Sequence, residues 1–297
     1  MSEETRLERF WKVVGKIRSS LSNFLFLVIL LVISVAIVGS FFGSDLKDPE
    51  GKALVINPQG PIVEQIEGGN DPLTFLLQGQ PQKQLLVNNL LEVLKKAKTD
   101  DRIKFIVLNL DNIYGTGQTV LFDVGQALKE LREAGKIIIS TGDNYDQSGY
   151  YLASFSNEII INPDGFIFLE GLSRYRTYFK SLLEKLKVSV NLFRVGKYKS
   201  AMEPYIRNDM SEEAKEAAKA YLEVIWDSYK EVVAENRDMQ PDNLQYIADN
   251  SNILIKKEKG NAAAALLKAN LVDKVLNRTQ TREYLQKKIG KSEDELD

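Results

Sequence analysis

The sequence predicts an α/β domain with a parallel sheet behind one N-terminal transmembrane helix. Three features favour this class. Residues 21–42 are almost wholly apolar and carry no charge. Residues 103–110 form a nearly continuous apolar run, which is typical of a strand covered on both faces in a parallel sheet. Residues 103–141 then follow a strand, helix, strand order that indicates a βαβ crossover.

The N-terminal segment predicts a membrane anchor. Residues 1–20 place apolar side chains at helical spacing among basic ones, which predicts a juxtamembrane helix at the cytoplasmic headgroups. About twenty apolar residues suffice to span the hydrocarbon core, so residues 21–43 are expected to form a transmembrane helix. A secretory signal has a shorter apolar region and a small-residue cleavage site, and residues 39–43 match such a site poorly. We therefore expect an uncleaved anchor.

The charges on the two sides of the apolar run predict its orientation. Basic residues precede the run, whereas Asp45, Asp48 and Glu50 follow it. Because basic flanks stay on the cytoplasmic side, the N-terminus is expected in the cytoplasm and, in a bacterium, the globular domain in the periplasm. This domain is expected to span residues 44–276. Residues 277–297 are expected to form a charged tail with little to bury.

Within the domain, hydrophobic periodicity and turn residues predict alternating strands and helices. The predicted strands lie at residues 53–57, 62–66, 103–110, 136–141, 159–162, 166–169 and 188–192. The predicted helices lie at residues 85–97, 119–134, about 149–155, 175–186, 211–236, 243–250 and 262–269. Ser211 followed by acidic residues predicts the N-cap of the longest helix.

The composition excludes several kinds of chemistry. The chain has no histidine and no cysteine, which removes Ser-His-Asp and Cys-His catalysis, thiol chemistry, and zinc or haem sites built on those ligands. No metal and no cofactor is expected. A net charge of -2 gives no basic surface that suggests nucleic acid. An acyl-transfer reaction would therefore need a lysine or a carboxylate as its base, and burial makes a lysine usable by disfavouring its charged form.

A lysine-bearing turn is the first candidate for such chemistry. Residues 193–204 follow an apolar alternating run and precede the predicted cap of the long helix. Lys197 and Lys199 flank Tyr198, so alternation would direct one lysine inward and the other towards solvent. The alternative is that both lysines are solvated in a basic loop, since most lysines lie at the surface.

This turn carries a resemblance to a known family. The run Phe-Arg-Val-Gly-x-Tyr-Lys-Ser-Ala-x-Glu-Pro-x-Ile-Arg-x-Asp-Met-Ser, which begins at Phe193, resembles the lysine-bearing segment of the long form of bacterial signal peptide peptidase, also called protease IV. The resemblance extends through residues 144–155 and 178–189. It covers the chain from the anchor to near residue 275.

The resemblance implies a crotonase-like (Clp-protease-like) domain on a single-pass anchor in the bacterial inner membrane. In this family each long chain has two such halves. The first supplies a general-base lysine, which Lys199 matches, and the second supplies the nucleophilic serine. The implied function is a serine peptidase with a Ser–Lys dyad that degrades cleaved signal peptides. The implied partners are the peptide substrate, the lipid bilayer, and a serine-bearing second half or further copies in a bowl-shaped oligomer.

Ser148 is a second candidate, as nucleophile within this chain. It lies at a strand-to-helix turn, where many hydrolases hold a serine. Single-half relatives carry Ser-Gly-Gly-Tyr here, but counting back from Tyr150 gives Gln147 at the serine position. A shift of one residue turns a helical side chain by about 100°. The alternative for Ser148 is a helix cap or an exposed hydroxyl.

Gly115, Gly117 and Gly149 are the candidates for an oxyanion and substrate loop. Backbone N–H groups at a helix N-terminus can bind a developing negative charge, and the resemblance implies such a loop after this strand. The alternative at Gly115 and Gly117 is an ordinary strand-to-helix turn.

For the whole chain, the alternative to an enzyme is a non-catalytic, anchored scaffold or peptide-binding subunit without the nucleophile half. An acyl-CoA enzyme of the same fold is a third hypothesis, which the anchor disfavours.

Overall fold

The computed structural model describes residues 6–41, 52–66 and 83–290. The chain divides into two compact units, Met1–Asp48 and Pro49–Asp297. The first unit contains one continuous helix, α1 (Arg6–Phe41). Its stretch Phe10–Val35 has a mean hydropathy of 2.0 and is long and apolar enough to cross a membrane. The predicted juxtamembrane and transmembrane segments are therefore parts of one helix, and residues 1–5, 42 and 43 lie outside the described part.

The second unit is built on a parallel five-stranded sheet with the order β1-β4-β5-β6-β7. These strands are β1 (Ala53–Ile56), β4 (Phe105–Asn109), β5 (Ile137–Gly142), β6 (Glu158–Ile161) and β7 (Lys274–Val275). Two short strands, β2 (Ile62–Val63) and β3 (Leu85–Leu86), form a separate parallel pair. The predicted α/β class with a parallel sheet is confirmed.

The helices of this unit follow in chain order. They are α2 (Val87–Thr99), α3 (Gln118–Glu133), α4 (Gln147–Ser154), α5 (Lys180–Lys185), α6 (Glu203–Ile206), α7 (Glu212–Asn236), α8 (Pro241–Asp249), α9 (Ser251–Lys257), α10 (Ala262–Lys268) and α11 (Arg278–Ile289).

The core lies between the central strands and the helices that connect them. Ile106 pairs in register with Ile138, and both side chains are fully buried, as is Ile159 on β6. On α3, Leu128 and Leu131 are buried against this sheet at helical spacing. Because all five strands are parallel, their carboxyl ends lie at one edge, where loops can gather functional groups.

Residues 166–206 differ from the prediction. Residues 166–169 form only an isolated bridge, Tyr145 to Ile167, and residues 188–192 form no strand. The helix predicted at 175–186 is reduced to α5, with Leu182 and Leu186 exposed. The physical reason is that a strand needs a neighbour for its backbone groups, and within the described chain no strand lies beside residues 188–192.

The longest helix begins at the predicted cap. Ser211 accepts a hydrogen bond from the N–H of Ala214, as the cap prediction requires. The core side of α7 carries Ala218 and Tyr229, whereas Tyr221 and Val224 are exposed.

Residues 278–290 belong to the domain rather than to a tail. Asn277 and Gln280 form a capping box at the start of α11. Arg278 then pairs with Asp143, while the side chain of Lys288 binds Glu158. This helix has no buried residue, so its polar side chains carry the contacts that join it to the sheet. The predicted boundary at residue 276 therefore falls too early.

Candidate functional site

The first turn of α4 carries the serine candidate. Asp146 is its N-cap, and its carboxylate accepts a hydrogen bond from the N–H of Gly149 at 2.6 Å. Burial raises the pKa of the Asp146 carboxyl, although the backbone N–H groups of Gly149 and Ser148 favour its charged form. Ser148 is half-buried as the second residue of α4. Its hydroxyl makes no hydrogen bond within residues 6–41, 52–66 and 83–290, and the capping role belongs to Asp146.

Neighbouring elements fix the start of α4. The Tyr229 hydroxyl on α7 donates to the carbonyl oxygen of Gln147 at 3.0 Å. The Gln147 side-chain oxygen accepts from the N–H of Gly171, also at 3.0 Å. Tyr150, fully buried, donates to the carbonyl oxygen of Leu271 at 2.8 Å. The helix that carries Ser148 is therefore held by hydrogen bonds from several parts of the domain.

The loop between β4 and α3 lies beside this first turn. A Cβ placed on Gly149 would be 3.0 Å from Ile113 Cγ2 and 3.4 Å from the carbonyl oxygen of Leu110. Further along the same loop, Gly115 has φ +62° and Gly117 is the N-cap of α3 without a side-chain cap. A glycine is suited to the positive φ because other residues are strained there. The structure thus brings the loop of the glycine candidates next to the first turn of α4.

Lys199 lies elsewhere, in an exposed turn. We name residues 196–201 the lysine turn; it begins at Gly196, whose φ is +108°. One of Lys197 and Lys199 was expected to point inward and the other towards solvent, but both are exposed. Within the described chain, the Lys199 side chain makes no hydrogen bond or ion pair, and none joins it to Ser148. Lys199 and Ser148 do not form a dyad in this arrangement.

Two arginines bind the backbone of the lysine turn. Arg194 Nη1 donates to the carbonyl oxygen of Lys199 at 2.9 Å. Arg176 donates from Nη1 to the carbonyl oxygen of Ser200 at 3.1 Å and from Nη2 to that of Ala201 at 2.8 Å. Three successive carbonyl oxygens are therefore bound by guanidinium groups.

Glu203 is the buried acid next to this turn. Its side chain is 1% exposed, and its Oε1 lies 3.9 Å from Arg194 Nη1. Glu203 accepts hydrogen bonds from the N–H of Ser211, at 3.2 Å, and from the Ser211 hydroxyl. Burial alone would raise the pKa of Glu203, but these hydrogen bonds and nearby arginines hold it below its usual value.

The sequence pattern did not indicate a role for Arg176, Arg194 or Glu203. A usable signal was present for Glu203, because it is an acidic residue inside an otherwise basic run, directly before Pro204. Arg194 and Glu203 also stand in the run that begins at Phe193, but the contacts of the two arginines could not be anticipated, since their acceptors are backbone carbonyl oxygens.

The surface around the lysine turn is apolar. Tyr175, Phe193 and Val195 are 93%, 96% and 85% exposed, and Val188 is half exposed. Soluble monomers rarely expose so many large apolar side chains in one segment, and such surfaces mark contacts with other molecules.

Two cavities are lined by neither Ser148 nor the residues of the lysine turn. A groove of about 720 Å³ at the sheet is lined by Val55, Val107, Asp143 and residues of α11. A smaller apolar cavity of about 170 Å³ lies between residues 166–170 and helices α8 to α10. In the described part of the chain, no group of three or more acidic side chains is arranged to hold a metal ion.

Comparison with known proteins identifies the family. The pattern of Peptidase family S49 matches residues 130–291. Protease 4 of Salmonella typhi is 36% identical over 298 residues, which cover 96% of this chain and 47% of that protein. Protease 4 of Haemophilus influenzae is 35% identical over 294 residues, with shares of 96% and 47%. This chain thus spans about half the length of both relatives.

A more distant relative, "Serine protease SPPA, chloroplastic" of Arabidopsis thaliana, is 26% identical over 195 residues, 63% of this chain and 29% of that protein. The family match alone covers more than half of the sequence and includes the lysine turn and α4. The chain therefore belongs to peptidase family S49.

Proposed function

We propose that this chain supplies the general-base lysine, Lys199, of a membrane-anchored serine peptidase that degrades cleaved signal peptides. The observation that carries the proposal is the exposed Lys199 amine on an apolar surface, in a member of a peptidase family. A lysine base must reach its serine within about 3 Å, and within the described chain no hydrogen bond joins Lys199 to Ser148. A serine from a second half, or from another copy, fits this arrangement better.

The apolar surroundings of Lys199 support a base that works across an interface. A lysine can accept a proton only as the neutral amine, and desolvation populates this form because burial disfavours the charged one. Phe193 and Val195 stand almost wholly exposed near the lysine turn. A partner that covers these side chains would also remove water from Lys199. That the chain spans about half the length of its relatives supports a second half as this partner.

The reaction then follows from acid–base chemistry. Neutral Lys199 takes the proton from the serine hydroxyl while the serine oxygen attacks the carbonyl carbon of the peptide bond. The protonated lysine next gives its proton to the leaving amine, and water releases the acyl group with the same lysine as base. Backbone N–H groups stabilise the oxyanion, and the loop with Gly115 and Gly117 beside Gly149 is the candidate for this role.

The anchor gives the proposed location. Helix α1 is long and apolar enough to cross a membrane, and the relatives named Protease 4 favour a membrane-bound enzyme. The charges on the two sides of the apolar run support a cytoplasmic N-terminus and a domain outside the inner membrane. A substrate left in the membrane after cleavage of a signal peptide would lie close to such a domain.

The proposal is tested with the full chain in detergent and a fluorogenic signal-peptide sequence. The chain is assayed alone and with the serine-bearing half of a long family member. The expected result is hydrolysis only in the mixture, lowered by about 10² to 10⁴-fold in Lys199→Ala. Lys197→Ala, an exposed lysine of the same turn, is the matched control and is expected to keep its rate.

Three results would contradict the proposal. Hydrolysis by the chain alone that is lost in both Lys199→Ala and Ser148→Ala would mean a self-contained dyad. An unchanged rate of the Lys199→Ala mixture would remove Lys199 as the base. No hydrolysis in either preparation, with the partner half bound, would favour a non-catalytic scaffold.

A further inference from the structure

The backbone of the lysine turn is bound in a way that the proposed reaction does not itself require. Arg194 binds the carbonyl oxygen of Lys199, and Arg176 binds those of Ser200 and Ala201. A guanidinium group has five donors in a rigid fork, so one arginine can bind more than one acceptor in a fixed geometry. The lysine turn is irregular and exposed, and these contacts fix its backbone directly after Lys199.

Glu203 connects this turn to the longest helix. It accepts from the backbone N–H and the hydroxyl of Ser211, which caps α7, and it lies 3.9 Å from Arg194. The N–H of Glu203 donates to the carbonyl oxygen of Ser200 at 3.1 Å, the same oxygen that Arg176 binds. The contacts therefore run without a break from the cap of α7 through Glu203 and Arg194 to Lys199.

We propose that Arg176 and Arg194 are positioning residues for Lys199, with Glu203 orienting Arg194. This inference rests on the proposed function, in which Lys199 is the base. Within the described chain the Lys199 side chain makes no hydrogen bond or ion pair, so the position of its amine depends on the backbone that carries it. A displacement of about 1 Å at a catalytic group can cost on the order of 10²-fold in rate.

The first test is kinetic. Arg176→Met and Arg194→Met are compared with Arg174→Met in the full chain, in the preparation that hydrolyses the peptide. Arg174 lies two residues from Arg176, is exposed, and has no hydrogen bond or ion pair within residues 6–41, 52–66 and 83–290. We expect kcat to fall by about 10 to 100-fold in Arg176→Met and Arg194→Met, with KM within about twofold, and no change in Arg174→Met.

A conservative variant separates positioning from folding. Arg194→Lys keeps the charge and can donate to the Lys199 carbonyl, but it lacks the fork that also faces Glu203. We expect Arg194→Lys to recover part of the kcat that Arg194→Met loses, at equal thermal unfolding midpoints. The inference is overturned if kcat is unchanged, including the case in which kcat/KM falls only because KM rises.

The second test needs no activity. Hydrogen exchange of the Glu203 amide, which donates to Ser200, is measured by mass spectrometry in the full chain. We expect exchange faster by on the order of tenfold in Arg176→Met and unchanged exchange in Arg174→Met. Equal exchange in both overturns the inference, whether or not the peptide is hydrolysed.

The two proposals fail in different ways. A Lys199→Ala variant with the wild-type rate removes Lys199 as the base, and the positioning role with it. An inactive Lys199→Ala variant beside a fully active Arg194→Met variant removes only the positioning role.

Discussion

Arg237 binds Asp273 through two parallel hydrogen bonds, 2.9 Å from Nη2 to Oδ1 and 3.1 Å from Nη1 to Oδ2. Arg237 is the C-cap residue that follows α7, and Asp273 directly precedes β7. The pair therefore joins the longest helix to the edge of the sheet. Asp273 also accepts from the N–H of Ile159 on β6 at 2.7 Å. The Arg237 side chain is 6% exposed and the Asp273 side chain 30% exposed, so the arginine is buried and the carboxylate half-buried.

Replacing Arg237 with Met is expected to lower the free energy of unfolding by about 2 kcal/mol, because the half-buried Asp273 carboxylate would lose its partner. Urea unfolding of the chain measures this change. The double variant Arg237→Met with Asp273→Leu is expected to lose less than Arg237→Met alone. A double variant that loses the sum of both single changes would show that the two residues do not interact.

Tyr229→Phe removes the hydroxyl that donates to the carbonyl oxygen of Gln147 at the start of α4. We expect a loss of about 1 kcal/mol in the free energy of unfolding, the usual net value of one buried hydrogen bond. Tyr151→Phe is the matched control, since within the described chain the Tyr151 hydroxyl donates no hydrogen bond. Equal losses in the two variants would argue against the contact with Gln147.

Gly125→Ala tests the packing between α3 and α4. A Cβ on Gly125 would lie 2.6 Å from two ring carbons of Phe155, whose ring is buried. Although alanine favours a helix more than glycine, we expect a loss of about 1 to 3 kcal/mol, because the ring has to move. Gly117→Ala, where no atom lies within 4 Å of the added Cβ, is the control in a thermal unfolding assay and should lose only the N-cap preference of glycine over alanine. A Gly125→Ala variant as stable as the control would contradict this packing.

The attachment of α11 is expected to depend on pH through Glu158. Burial alone would raise the pKa of Glu158, but hydrogen bonds from Lys288 and Tyr284 hold it below its ordinary value of 4.5. A carboxyl with a lowered pKa in the folded state stabilises the fold above its unfolded pKa, and this contribution is lost as the pH falls through the folded value. The unfolding midpoint should therefore drop as the pH falls below about 4.5.

The control for this pH dependence is Glu158→Gln, which cannot titrate. Its unfolding midpoint should fall less steeply than that of the unaltered chain between about pH 6 and about pH 3.5. Parallel curves for the two proteins would mean that other carboxyls determine the acid sensitivity.

The sequence predicted the central part of the domain well because its elements are regular and buried. The apolar run of β4 predicts a buried strand, and the periodic pattern of α3 predicts a helix with one buried face. Any other arrangement of these two elements would leave apolar surface in water. The cap at Ser211 was equally predictable, because it depends only on local residues.

Residues 166–206 were less predictable for a physical reason. Val188, Val190 and Leu192 alternate as in a strand, but pairing depends on a neighbour that local pattern does not reveal. In the same way, the contacts of Arg194 and Arg176 involve backbone oxygens, which every residue has. Lys199, Arg194 and Glu203 stand in one motif, but the contacts that join them, and the part of Arg176, depend on the three-dimensional path of the chain.

The helix α11 joins the sheet through Arg278 with Asp143 and through Lys288 with Glu158, and it buries no residue of its own. Ionic strength therefore acts on this helix more than on the apolar core. At about 1 M salt the Debye length shrinks to about 3 Å, so the exposed Arg278 pair weakens more than the half-buried Lys288 pair, while hydrophobic contacts persist. Added salt should therefore loosen the start of α11, which forms one wall of the 720 Å³ groove, before the domain unfolds.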